Sequence, residues 1–235
     1  AAVNAGPLKP YTFVQNASFK GEPTKVGDNY KPSPDGCPSE RIGLEQFSDA
    51  SPALATVSRD SRLSGCPAVA VQLLTADEAL LADAVNKLQA SGTTAGQIGI
   101  QWAWYTIAPE WASFMPAEYQ PGPYGTQLRK YAIIMTDGEF NTAYADVKTS
   151  QSVSNQPAKS MKYAVSLCEN MKKKGIQIFT VGFDLKEKTA IDTLMQCASP
   201  AEGGVQYFYS AKTGAELVEV YKTIAQRIKT VRLVK

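Results

Sequence analysis

The sequence predicts an α/β fold, Rossmann-like, with a doubly wound and mostly parallel sheet flanked by helices. Three observations predict it. A continuous apolar run at residues 131–135 and a mostly apolar one at 176–182 read as strands buried on both faces. Segments with apolar residues at helical spacing separate such runs. From residue 67 onward strand-like and helix-like segments alternate, the order that builds parallel strands joined by right-handed crossovers.

Residues 1–66 have a different texture, rich in Pro, Gly, Asn, Ser and Asp, as in Lys31-Pro32-Ser33-Pro34-Asp35-Gly36. They are expected to form a loop-rich insertion within the domain, and residues 67–235 the remainder of the α/β body. Residues 69–74 read as a short strand. Thr75-Ala76-Asp77-Glu78 reads as a capping box opening a helix with apolar positions Leu81, Ala84, Val85 and Leu88. A helix over residues 95–107 carries Ile98, Ile100, Trp102, Trp104, Tyr105 and Ile107, apolar around much of its circumference, so its Trp side chains are expected in the core.

The run at 131–135 then leads into Thr136-Asp137-Gly138, a strand entering a turn. Residues 160–174 repeat apolar positions at helical spacing, Lys172-Lys173-Lys174 complements the dipole at that helix's end, and Gly175 stops it. A strand at 176–182, a helix at 187–197 and a short strand at 206–209 follow. Thr213-Gly214-Ala215-Glu216 caps a last helix bearing Leu217, Val220, Tyr221, Ile224 and Ile228.

Composition narrows the chemistry. The 235 residues, 44% hydrophobic and 20% charged, suffice for a full core. Lys and Arg total 24 against 22 Asp and Glu, and a net charge of +2 gives no reason to expect a nucleic-acid or anionic-lipid partner. The sequence has no histidine, which removes the commonest general base and the Ser-His and Cys-His nucleophile pairs. The four cysteines, Cys37, Cys66, Cys168 and Cys197, form no CxxC and suit two disulfides in an oxidising compartment. Three pairings exist in principle; near-neighbour pairing, Cys37 with Cys66 and Cys168 with Cys197, is preferred over the others and over buried free thiols.

Two positions stand out as metal ligands. Asp137 directly follows an apolar strand, which puts a carboxylate at the carboxyl edge of the sheet, where ligands of such folds sit. Thr94, in Gly92-Thr93-Thr94 before a helix, presents a hydroxyl at the same edge. Both are hard oxygen donors of the kind Mg2+ accepts, with water completing the octahedron. The plainer roles are a turn cap for Asp137 and a helix N-cap for Thr94.

Together, Gly92-Thr93-Thr94-Ala95-Gly96-Gln97-Ile98-Gly99-Ile100 and Ile133-Ile134-Met135-Thr136-Asp137-Gly138-Glu139 resemble the second and third segments of the metal-ion-dependent adhesion site (MIDAS) of von Willebrand factor A (vWA) domains. In that family the threonine and the aspartate help hold Mg2+, which implies Thr94 and Asp137 here, with Mg2+ or Mn2+ as cofactor. Gly99-Ile100-Gln101-Trp102-Ala103-Trp104-Tyr105, Pro109-Glu110-Trp111 and the cysteine-bearing insertion resemble TadG-like proteins of Tad (tight adherence, Flp) pilus assembly. That resemblance implies a membrane anchor upstream and a domain on the periplasmic, extracytoplasmic side of a bacterial inner membrane.

The family's first metal-binding segment, Asp-x-Ser-x-Ser, is absent. Asp49-Ala50-Ser51-Pro52-Ala53 lacks the last serine, and Asp60-Ser61-Arg62-Leu63-Ser64 is out of register. Ala1-Ala2-Val3-Asn4-Ala5-Gly6 looks like the segment after the family's second strand, so the first strand and helix are expected to precede this chain, which alone carries part of the metal shell.

The implied function is a non-enzymatic binding module in pilus assembly or cell adhesion, its partner a pilus component or surface ligand offering a carboxylate to the cation. The alternative is a structural scaffold of the pilus or secretion apparatus with a vestigial metal site. Metal-assisted hydrolysis by Asp137 with Glu139 ranks below both, because no nucleophile or base accompanies them.

Overall fold

The computed structural model describes residues 14–16, 25–26, 29–30, 39–60, 62, 71–90, 92–125 and 127–233. Its centre is a three-stranded parallel sheet. Three short apolar runs build it: β5 (Tyr131–Thr136), β6 (Gln177–Phe183) and β7 (Phe208–Ala211), in the order β5-β6-β7. The remaining strands come earlier in the chain and are short. Strand β1 (Val14–Asn16) pairs in parallel with β4 (Val57–Arg59), and β2 (Lys25–Val26) pairs antiparallel with β3 (Asn29–Tyr30), so the loop-rich N-terminal region contains local pairing that its composition does not reveal.

The helices are α1 (Glu78–Asn86), α2 (Gly96–Ile107), α3 (Pro157–Lys173), α4 (Lys188–Cys197) and α5 (Gly214–Leu233). Successive strand side chains point to opposite faces. Accordingly Ala132 and Ile134 of β5 and Ile178 of β6 join one core cluster with residues of α2, α3 and α4, whereas Phe179 and Val181 pack with Ile224, Leu217 and Val220 of α5. Helices on both faces of a parallel sheet make this a doubly wound arrangement. Among the described residues no helix is long and apolar enough to cross a membrane.

Burial varies sharply between elements. Strand β6, paired on both sides, is buried over its five central residues. Strand β5 is bonded on one side only among the described residues, and Ile133 and Met135 on its α5 face are 42% and 48% exposed. The expectation of a strand buried on both faces is therefore corrected for β5: its face toward α2 and α3 is covered and the other is half open. Helix α2 is buried through Gln97, Ile98, Ile100, Gln101, Trp102, Trp104 and Tyr105, in line with its broad apolar pattern, and exposes only the side of Gly99 and Ala103.

Two local readings also change. Residues 71–74, the described part of the expected 69–74 strand, are irregular. The N-cap of α1 is Asp77 in place of Thr75, its carboxylate accepting from the Ala79 and Leu80 amides, and the Thr75 hydroxyl instead accepts from the Asp77 amide. The helix buries no residue, leaving Leu81 and Val85 exposed, and it ends before Leu88, which is exposed too. At the far end of the chain the Thr213 hydroxyl accepts from the Glu216 amide, and the Glu216 carboxylate from the Lys212 amide, the reciprocal cap that the sequence signals.

Residues 39–60 are held to the body by a buried cation. Arg41, fully buried, lies 4.8 Å from the Tyr105 ring centroid and 5.5 Å from that of Trp111, and donates to the carbonyls of Ser48 and Ala50. Tyr105 and Trp111 stack at 4.1 Å, so the guanidinium meets a preformed aromatic wall. Arg62 ties the same region down elsewhere: it pairs with Asp60 through two nitrogens and donates to the carbonyls of Val147 and Lys148.

Cys168 near the end of α3 and Cys197 at the end of α4 form a disulfide, both fully buried. Cys37 and Cys66 lie outside the described residues. Lys172 fastens the same corner by donating to the carbonyls of Gln196 and Ala198. The crosslink closes a segment with sequence separation 29, for which chain-entropy arguments give stabilisation of about 3.6 kcal/mol. Urea unfolding of Cys168→Ala/Cys197→Ala should lose roughly that amount, with the α/β circular dichroism spectrum retained in the folded state.

Candidate functional site

The carboxyl end of β5 carries the candidate site. The chain leaves the strand at Thr136, whose hydroxyl accepts from the Gly138 amide and donates to the Gly138 carbonyl, closing the turn. That turn is closed by Thr136, so Asp137 is not the turn cap: among the described residues its carboxylate accepts no hydrogen bond, and the residue is exposed. The neighbouring Glu139 is engaged, its carboxylate accepting from the Thr189 hydroxyl at the start of α4 at 2.5 Å.

The loop then folds back onto the entrance of α2. The Thr94 carbonyl accepts from the amides of both Asn141 and Thr142, and the Thr94 amide donates to the Asn141 side chain at 3.0 Å. The Thr142 hydroxyl donates to that of Thr93 at 2.7 Å. The segments holding Thr94 and Asp137 are thereby stitched together at one sheet edge. Thr94 is not the N-cap of α2; Ala95 occupies that position and no side chain caps the helix. The plainer roles considered for both residues are thus filled by other groups or by none.

Close packing fixes this geometry. A Cβ on Gly96 would stand 2.2 Å from the ring of Phe140, which is 5% exposed, so only glycine lets the loop after β5 close over the first turn of α2. Beneath it sits Gln97, fully buried. Its amide nitrogen donates to Glu40 and to the Thr142 carbonyl, and its amide oxygen accepts from the Ser160 hydroxyl. Glu40 accepts also from the amides of Tyr144 and Ala145, so its carboxylate has three donors within the protein. Burial nevertheless pushes the Glu40 carboxyl above its ordinary range, those hydrogen bonds opposing the shift.

The donor set fits a hard divalent cation in kind and supplies only a fraction of its shell. Thr94 and Asp137 offer a hydroxyl and a carboxylate, whereas octahedral Mg2+ needs six oxygens. Among the described residues no group of three or more Asp, Glu, Cys or His side chains is placed to hold a metal. Sequence reading singled out Thr94 and Asp137 but missed Asn141 and Thr142, which join their segments, and Glu40 with Gln97, which support the floor. Nothing in the local pattern marks these four. Comparison with family models, curated proteins and solved structures finds no match for the chain.

Two outcomes follow from this packing. Gly96→Ala should displace Phe140 and cost roughly 1–3 kcal/mol by thermal melting, as overpacking does, with loss of the Thr94–Asn141 contact visible in amide exchange. For Glu40 the folded carboxyl titrates above its unfolded value, so the stability tied to its protonated form is present below about pH 4.5 and disappears as pH rises through the raised value. Glu40→Gln should remove that component of the decline, read as a flatter dependence of the urea midpoint on pH above about 4.5.

Proposed function

We propose that this chain is part of a vWA-type binding module, whose Thr94 and Asp137 help hold Mg2+ or Mn2+ and through it the carboxylate of a protein partner. The observation that carries the reading is the hydrogen-bonded union of the Thr94 and Asp137 segments at the carboxyl edge of a parallel sheet, with the Asp137 carboxylate accepting no hydrogen bond among the described residues. This is the edge where the topology of such sheets puts ligands.

In this proposal Asp137 supplies charge and Thr94 a neutral oxygen, while Asn141 and Thr142 hold the two segments at a fixed separation. Bound cation would present an open coordination position to an incoming carboxylate, and the protein would perform no bond-making. The setting we propose is Tad/Flp pilus assembly or surface adhesion by a TadG-like, membrane-anchored protein on the periplasmic side of the inner membrane. The buried Cys168–Cys197 disulfide supports an oxidising compartment.

Mn2+ titration followed by nuclear magnetic resonance tests the proposal without a known partner. Paramagnetic broadening should centre on Thr94, Asp137 and Gly138, and Asp137→Ala should abolish it at unchanged melting temperature. Broadening spread over surface carboxylates, or kept in Asp137→Ala, would overturn the metal role and leave the scaffold reading, with its vestigial site, as the better account.

A further inference from the structure

The opposite end of the sheet holds a cleft of about 710 Å³, between Tyr124, Gly125 and residues 128–131 on one side and the turn from α3 into β6 on the other. Its size is that of small-molecule sites. Four cations line it: Arg129, Lys130, Lys173 and Lys174. They come from two pairs far apart in sequence, brought together because β5 and β6 begin side by side, Tyr131 in register with Gln177.

The charges are not evenly matched. Lys174 lies 3.3 Å from Asp49 and 4.0 Å from Glu110. Lys130 donates to the carbonyls of Ile107 and Gly122 and lies 4.4 Å from the Tyr124 ring centroid, and Lys173 donates to the Asn170 amide oxygen. Among the described residues none of Arg129, Lys130 and Lys173 has a carboxylate within ion-pair distance, although Glu110 and Asp49 act on Lys130 at longer range, so Arg129 and Lys173 carry the unmatched charge. Lys130 is 9% exposed and so is held in place, whereas Arg129 and Lys173 are exposed and able to reach a ligand. Tyr131, which also lines the cleft, has a buried hydroxyl without a hydrogen-bond partner among the described residues.

We propose that this cleft binds a phosphate group, with Arg129 and Lys173 as its direct ligands and Lys130 fixing a positive potential behind them. Unmatched positive charge from several side chains suits a phosphate, which carries up to two negative charges and several acceptor oxygens, better than a single carboxylate. The site lies at the amino ends of β5 and β6, roughly 20 Å from the Thr94–Asp137 edge by the length of a six-residue strand, and is independent of the metal reading.

The test uses inorganic phosphate and, separately, vesicles of phosphatidylglycerol or phosphatidylcholine, which distinguish a soluble phosphate from a lipid headgroup. Phosphate at low ionic strength should move the amide resonances of Gly125, Gly175 and Gln177, and acetate at equal ionic strength should move them less. Arg129→Ala/Lys173→Ala should weaken binding about tenfold or more at unchanged melting temperature, whereas Lys162→Ala/Lys212→Ala, removing charge elsewhere, should not. Flotation with phosphatidylglycerol vesicles alone, lost in the Arg129/Lys173 variant, would assign the phosphate to a lipid. No response to either probe, a response kept by that variant, or equal loss in the Lys162/Lys212 variant would overturn the proposal.

Discussion

The side-chain amide of Gln97 joins four parts of the chain that are distant in sequence. Glu40 brings in the N-terminal region, Thr142 the loop after β5, and Ser160 the first turns of α3, while Gln97 itself belongs to α2. Every one of these groups is buried, so each donor and acceptor must find its partner inside the protein or forfeit about 1–3 kcal/mol. An apolar side chain of similar size would fill the space but would leave one Glu40 oxygen, the Thr142 carbonyl and the Ser160 hydroxyl without their Gln97 partner. The packing of α2 against β5 and α3, and the closure of residues 137–142 over the helix entrance, therefore depend on a polar junction that has one satisfactory arrangement.

Much of the α/β body was legible because burial leaves a periodic trace. Strand β6 reads as a mostly apolar strand and is buried along its middle; α2 reads as apolar around much of its circumference and is buried except along the side of Gly99 and Ala103; the cap of α5 reads from Thr213 and Glu216 and is made by them. Strand β5 has the same apolar signature as β6 and yet exposes Ile133 and Met135. Side-chain type reports that a strand tolerates burial, but exposure depends on which neighbours stand beside it. The exposed apolar residues in and just beyond α1 make the same point: Leu81, Val85 and Leu88 have helical spacing, and no described element covers them.

The candidate site was legible in its donors and not in its support. Asp137 is conspicuous because it terminates an apolar run, and Thr94 because it precedes a helix. Asn141 joins them through contacts 47 residues apart in sequence, which no local pattern encodes. The same limit applies to charge. A chain with net charge +2 gives no hint of a basic cleft, yet the pairing of β5 with β6 sets Arg129 and Lys130 beside Lys173 and Lys174. Arg41 is a further instance: nothing in its local sequence marks its burial against Tyr105 and Trp111, which emerges only from tertiary packing.

The disulfide has a mechanical consequence. The bond between Cys168 and Cys197 encloses the end of α3, all of β6 and all of α4 in a covalent ring with a sequence separation of 29. Tension applied to the two ends of the chain would travel through the sulfur atoms and bypass the ring, withholding about 100 Å of contour length from extension. Under load β7 and α5 could be stripped away while the strand at the centre of the sheet stayed inside its loop, ready to re-form its contacts once the force is released.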